Sequence, residues 1–193
     1  MPKIFSEEKR LEIQERLMDT GLELIKQNGL KNLNIETVTK KVGIAQGTFY
    51  HFYKSKEVLV YHIANRYKEK VNQRMRQLLD TKGFLEREDI RSLYQSMFLK
   101  DEDNVYRYLK REDLQVLMMR LPKDYCINIF GIKEELKRNL QWVRSGKKEY
   151  DIDAIINWVQ IMHLTLENKD ILIEEAIEKN INRLIENMLD EIF

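Results

Sequence analysis

A chain of 193 residues, 43% hydrophobic and 34% charged, has room for one sizeable core or for a small module joined to a larger one. Only seven Gly and two Pro interrupt it, which argues against a turn-rich β fold and for long helices. The single Cys126 excludes an intrachain disulfide, and no apolar run approaches roughly 18 residues, so a cytoplasmic protein without a membrane span is expected.

The net charge of +1 hides an asymmetry. Residues 1–82 hold 16 Lys and Arg against 10 Asp and Glu, and residues 83–193 hold 17 against 22. A basic front end on an acidic remainder suits a protein whose N-terminal part meets a polyanion.

The first helix should open at Ser6, whose hydroxyl can cap it, with Glu7 and Glu8 placed where the helix dipole favours negative charge. Leu11, Leu17, Met18, Leu22, Leu24 and Ile25 recur at helical spacing until Gly29 stops the helix, and Leu30 and Leu33 anchor a short connector. Asn34 can cap a second helix running to Val42, with Ile35, Val38 and Val42 inward. Gly43 then supplies a sharp turn, because glycine adopts positive φ without steric cost. A short third helix follows at 46–52, with Phe49 and Phe52 inward. After a break at 53–56, Ser55 caps a long fourth helix expected to reach Leu79.

Gly83 marks the next boundary. Further helices are expected at 88–99 (Ile90, Leu93, Tyr94, Met97 and Phe98 on one side), 103–110, 112–120, 125–145 ending at Gly146, 151–168 and 170–191. The fold class is therefore all-α: an N-terminal helix-turn-helix domain over residues 1–55, and a larger helical domain over 56–193.

Two short helices joined by a tight glycine turn form a helix-turn-helix pattern. Such a pair works when the second helix packs one face on its neighbours and turns the other into a major groove. Ile44, Phe49 and Phe52 supply the packing face. Gln46, Thr48, Tyr50 and His51 are left outward, with hydrogen-bonding groups for base edges or phosphate, and Gly47 lets backbone approach the groove. Lys54 and Lys56, with the start of the fourth helix, offer positive character to phosphate, and Asn34 and Thr37 offer neutral donors. Packed helices of this geometry also occur in proteins that do not touch DNA.

The run Asn34-Ile35-Glu36-Thr37-Val38-Thr39-Lys40-Lys41-Val42-Gly43-Ile44-Ala45-Gln46-Gly47-Thr48-Phe49-Tyr50-His51-Phe52-Tyr53-Lys54-Ser55-Lys56-Glu57 resembles the DNA-binding signature of TetR-family transcriptional regulators. Its most specific pieces are 47–52 and 54–57. The close resemblance covers about residues 7–60, and the rest is similar only in helical layout. Two positions depart from the pattern: Ala45 stands where the family often has Ser, and Thr39 where a small Ala is common. The resemblance implies an all-helical homodimer that binds double-stranded DNA at a palindromic operator. It further implies a repressor released by a small-molecule effector, whose identity the sequence does not give.

Two sets of residues extend that expectation. The helix at 151–168 carries a second apolar side at Trp158, Ile161 and Thr165. The last helix has more apolar surface than one face holds, including Ile173, Ile177, Ile181, Leu184 and Met188. Helices apolar on more than one face are buried on more than one side, by a second copy or as a central helix of a monomer. Tyr94, Met97, Phe98, Met118, Met119, Tyr125, Trp142 and His163 are candidates to line an effector pocket and are equally ordinary core residues.

Other chemistries find no support. His51, His62 and His163 are far apart in sequence, so no metal site is expected. Asp101-Glu102-Asp103 opens like a calcium loop, but Tyr106 occupies the position that needs Gly. Neither phosphate-loop nor dinucleotide motifs occur, and no catalytic set or cofactor is expected. Two alternatives to a ligand-responsive repressor stay open: a DNA-binding protein of the same fold without an effector, and an all-helical enzyme or carrier.

Overall fold

The computed structural model describes residues 6–125, 131–144 and 146–193, which are helical almost throughout. They form two compact units: residues 6–67 with 108–125, and residues 68–107 with 131–144 and 146–193. Cys126 and part of the helix expected at 125–145 lie outside the described residues.

In the first unit, α1 spans Glu7–Asn28. Ser6 accepts a hydrogen bond from the Lys9 amide at its start, and Gly29 ends it at φ 74°. The inward stripe begins at Ile13, not at Leu11, which is 60% exposed. Leu30 and Leu33 are buried on either side of a single 3₁₀ turn, as expected of anchors. α2 spans Ile35–Val42, α3 Gln46–Phe52 and α4 Lys56–Lys82. The long helix therefore ends at Lys82, three residues beyond the expected stop, and Gly83 at φ 76° breaks it. α1 crosses α4 at Gly21, where an added Cβ would lie 3.0 Å from Ile63 Cδ1 and 3.1 Å from Leu59 Cδ2. Glycine there brings the two helices close enough for Leu17, Leu59 and Ile63 to be almost completely buried. α6, Arg111–Arg120, belongs to this unit and buries Leu117.

The second unit holds the later part of α4 with α5 (Arg87–Gln95), α7 (Gly131–Leu140), α8 (Ile152–Glu167) and α9 (Glu174–Ile192). Its core joins Ile90, Phe98, Ile155, Met162, Ile185 and Leu189. α5 continues as a π-helical turn over Ser96–Lys100.

Two expected helices are shorter than their periodicity suggested. Over 103–110 only the 3₁₀ turn Val105–Arg107 forms. Buried Asn104 accepts from the Tyr106 amide and donates to the Met97 carbonyl, so a side chain takes backbone partners that a helix would need. α7 stops at Leu140. The following backbone pairs with the 84–86 connector instead, the Leu85 amide donating to the Trp142 carbonyl (2.7 Å) and the Arg144 amide to the Leu85 carbonyl (2.8 Å).

Charge fastens this unit as well. Asp101, the head of the rejected calcium loop, is buried and receives Lys70 at 3.0 Å and Arg74 at 2.9 Å. Glu186 on α9 receives Arg91 and Arg87 from α5, and their guanidinium groups pull its pKa from an ordinary 4.5 to about 2. A depressed carboxylate stabilises the fold fully above its unfolded value and loses that contribution as pH falls through its folded value. Thermal melts should therefore show a loss of stability between about pH 4.5 and pH 2 that Glu186→Gln flattens. An unchanged profile would mean the pair adds nothing measurable.

Candidate nucleic-acid interface

The helix-turn-helix is fixed by hydrogen bonds that local sequence specifies. Asn34 accepts from the Glu36 amide at the head of α2, and Gly43 sits in the left-handed region (φ 78°, ψ 36°) with its amide on the Thr39 carbonyl at 2.9 Å. Thr39 is buried without penalty because its hydroxyl donates to the Glu36 carbonyl. One brace comes from far away in sequence: Arg16 on α1 donates to the Val42 carbonyl at 2.6 Å, satisfying the end of α2.

α3 has no side-chain cap at Ala45, as the missing hydroxyl implied. What positions it is packing. Phe49 is completely buried, with Tyr50 edge-on at 5.5 Å and Tyr53 at 5.8 Å. Phe52 is half-buried. Tyr53, read from sequence as part of the break, is almost fully buried, and burial pushes its hydroxyl pKa up to about 12. Its spacing of four from Phe49 was the available signal. Tyr53 packs at 5.2 Å on His62, which stands 6.0 Å from Tyr125, so Tyr125 is part of this unit's aromatic cluster. Burial lowers the His62 pKa.

The outer face is as expected. Gln46, Gly47 and His51 are exposed, Tyr50 is 51% exposed, and Thr48 is half-buried. Asn34, Thr37 and Lys54 are also exposed. Gly47 has nothing within 4 Å of where a Cβ would stand. Lys56, expected to meet phosphate, has partners inside the unit. Its ammonium donates to the Leu33 carbonyl at 3.0 Å and to the Leu30 and Lys31 carbonyls at 3.4 Å, strapping α4 to the connector. Phosphate contact by Lys56 would require giving up some of those three bonds. The neighbouring Glu57 closes the signature run, but the sequence reading gave its side chain no role. Burial alone would raise its pKa, but the Ser55 hydroxyl, its own amide, Arg120 and Lys56 together hold it below the usual carboxylate range.

Residues 17–63 match the family of bacterial regulatory proteins described as the tetR family. Residues 17–63 form a helix-turn-helix segment of the TetR-family type. Among curated relatives, the HTH-type transcriptional regulator YuxN of Bacillus subtilis is 23% identical over 146 residues, covering 76% of this chain and 45% of that protein. The HTH-type transcriptional repressor NemR of Escherichia coli is 29% identical over 82 residues, covering 42% of this chain and 41% of that protein. The chain thus spans less than half the length of these curated relatives. Solved structures extend the TetR-type fold over nearly the whole chain. Reduced E. coli NemR has a TM-score of 0.57 at 19% identity, covering 94% of this chain and 97% of that one. RolR in complex with resorcinol has a TM-score of 0.54 at 18% identity, covering 97% of this chain and 90% of that one.

The pocket candidates divide between the units. Phe98 in the second unit stacks on Tyr94 at 6.2 Å and meets His163 at 4.8 Å, with Met97 packed against the same core. Burial raises the Tyr94 hydroxyl pKa to about 12 and lowers that of His163. Met118, Met119 and Tyr125 belong to the first unit, where Met119 is 85% exposed and Met118 about half exposed; neither methionine occupies an apolar interior. Trp142 is likewise about half exposed. An open surface groove of about 720 Å³, lined by polar and charged residues, runs along α9 past Gln95 and Asn182, and none of the pocket candidates lines it.

The interface candidates also separate. Ile181 and Met188 are wholly buried within the second unit and have no surface to offer another chain, because both point into the core shared with α8. Ile161 and Ile173 are exposed, and Trp158, Thr165, Ile177 and Leu184 are half-buried. Among the described residues, no helix is long and apolar enough to cross a membrane.

Proposed function

We propose that this chain is a cytoplasmic transcriptional regulator that binds a palindromic DNA operator as a homodimer, represses, and is released by a small-molecule effector. The observation that carries the reading is the row Gln46, Thr48, Tyr50 and His51 on the outer side of α3, opposite the buried Phe49 and inside the TetR-family match. Polar side chains held on a rigid helix are what direct base readout requires.

The division of labour follows the sequence: residues 1–55 bind DNA, and residues 56–193 carry the effector site and the dimer contacts. Dimerisation has support in exposed apolar residues at the α8–α9 end, Ile161, Leu164, Ile171, Leu172 and Ile173, which water disfavours. Reading two successive major grooves of a palindrome would require the two α3 helices of such a dimer to stand about 34–36 Å apart, one turn of duplex. For the effector, Tyr94, Met97, Phe98 and His163 are the supported set, since they share one core and His163 is biased toward the neutral imidazole that can both donate and accept. RolR, of similar fold, is seen with a phenolic ligand, which supports a ligand-binding role for the larger part.

The test is selection of bound duplexes from a random pool, followed by footprinting. Tyr50→Ala with His51→Ala should abolish sequence preference at a small cost in thermal stability, because His51 is exposed and Tyr50 is half exposed with only its edge contact to Phe49 to lose. An undiminished footprint in the double variant would refute the DNA-reading face.

A further inference from the structure

The charges of the helix-turn-helix unit sort by partner. On α1 every carboxylate beyond the first turn is matched: Glu12 by Lys9 and Arg16, Glu15 and Asp19 by Arg66 at 2.8 Å each, and Glu23 by Lys26. Arg120 takes Glu57. Among the described residues of α1–α3 and their connectors, Arg10, Lys31, Lys40, Lys41 and Lys54 are exposed cations with no ion pair.

One of these five is held in place. The Arg10 guanidinium lies 5.8 Å from the centroid of Phe52, the last residue of α3. A guanidinium lying over a ring keeps its N–H edge available for a planar, two-pronged contact with phosphate, and stacking lowers the entropy lost on making it. The location matters too. The C-terminal end of a helix carries partial negative charge, which repels a phosphate unless cations stand beside it. Arg10 on one element and Lys54 just past the end of α3 supply that charge.

We propose that Arg10 is a DNA-backbone contact that fixes the recognition helix in the groove, in the role that sequence spacing assigned to Lys56. Lys56 spends its ammonium on three carbonyls inside the unit, whereas the Arg10 guanidinium has no hydrogen-bond acceptor among the described residues. This inference rests on the DNA-binding reading and names a further residue of that same surface.

The experiment measures binding of the full chain to its selected duplex by fluorescence anisotropy between 50 and 200 mM salt, for the unaltered protein, Arg10→Ala and Arg10→Lys. Arg10→Ala should lower the slope of log affinity against log salt by about 0.9 per bound chain, so the affinity lost over that interval shrinks about 3.5-fold per chain, with the selected sequence unchanged. Arg10→Lys should restore most of the slope. An unchanged slope in Arg10→Ala, with the duplex still bound, overturns the proposal. Equal losses in both variants together with a lowered Tm also overturn it, by making Arg10 a prop for Phe52. If the unaltered protein enriches no sequence and binds no duplex in a salt-dependent way, the DNA-binding reading itself falls.

Discussion

Phe49→Ala is expected to cost about 3–5 kcal/mol, the usual consequence of truncating a fully buried Phe. Phe49 has no exposed surface, and both Tyr50 and Tyr53 lean on its ring. A domain of this size is stabilised by only about 5–15 kcal/mol, so the first unit would lose a large fraction of its folding free energy. Denaturant unfolding followed by circular dichroism should show an early transition for this unit while the second unit melts near its normal midpoint. DNA binding would be lost through disorder of α3. Contrast with Tyr50→Ala separates scaffold from reading face: one substitution should act on stability, its neighbour on recognition. A cost below about 1 kcal/mol for Phe49→Ala would mean α3 is not anchored through this ring.

Asp101→Ala should be the most damaging polar substitution in the second unit, at about 2–4 kcal/mol, toward the lower end for breaking a buried ion pair. The carboxylate is buried, while Lys70 and Arg74 each keep about a third of their side-chain surface in water. Those cations can swing outward when their partner goes, which softens the penalty. The carboxylate also joins α4 to the connector after the π-helical turn, since it accepts from Lys70 and Arg74 on α4 and from the Asp103 amide. Asp101→Asn should fall between the two, keeping shape and losing charge. Thermal denaturation of both variants is the measurement. Equal stability of Asp101→Ala and the unaltered protein would show the network to be a surface ornament.

The parts that were legible in the sequence are those specified within a few residues. Ser6, Gly29, Asn34, Gly43 and Ser55 announced helix ends because caps and left-handed turns depend on one side chain and its immediate neighbours. The reading face was legible for the same reason, since Phe49 fixes by helical period which neighbours point outward. Contacts between distant positions left no such trace. Nothing near Arg16 signals that it will hold the end of α2, and nothing near Lys56 signals three carbonyl acceptors 23 to 26 residues upstream. Periodicity also overreached where a competing partner existed, as when Trp142–Arg144 gave their backbone to the 84–86 connector and cut α7 short. Residues 108–125 carried no local sign that they would pack with the helix-turn-helix.

Gly47 lies inside a helix, with open space where its side chain would be. Within the folded chain nothing requires glycine at this position, and alanine would strengthen the helix by about 1 kcal/mol. Selection for stability alone would have filled the position. That it stands empty suggests that recognition and robustness pull in opposite directions along α3, and that the gap is shaped for an outside surface. The other outward positions impose no such conflict, so drift among Gln46, Tyr50 and His51 could retarget the protein to new operators while the scaffold beneath them stays unaltered.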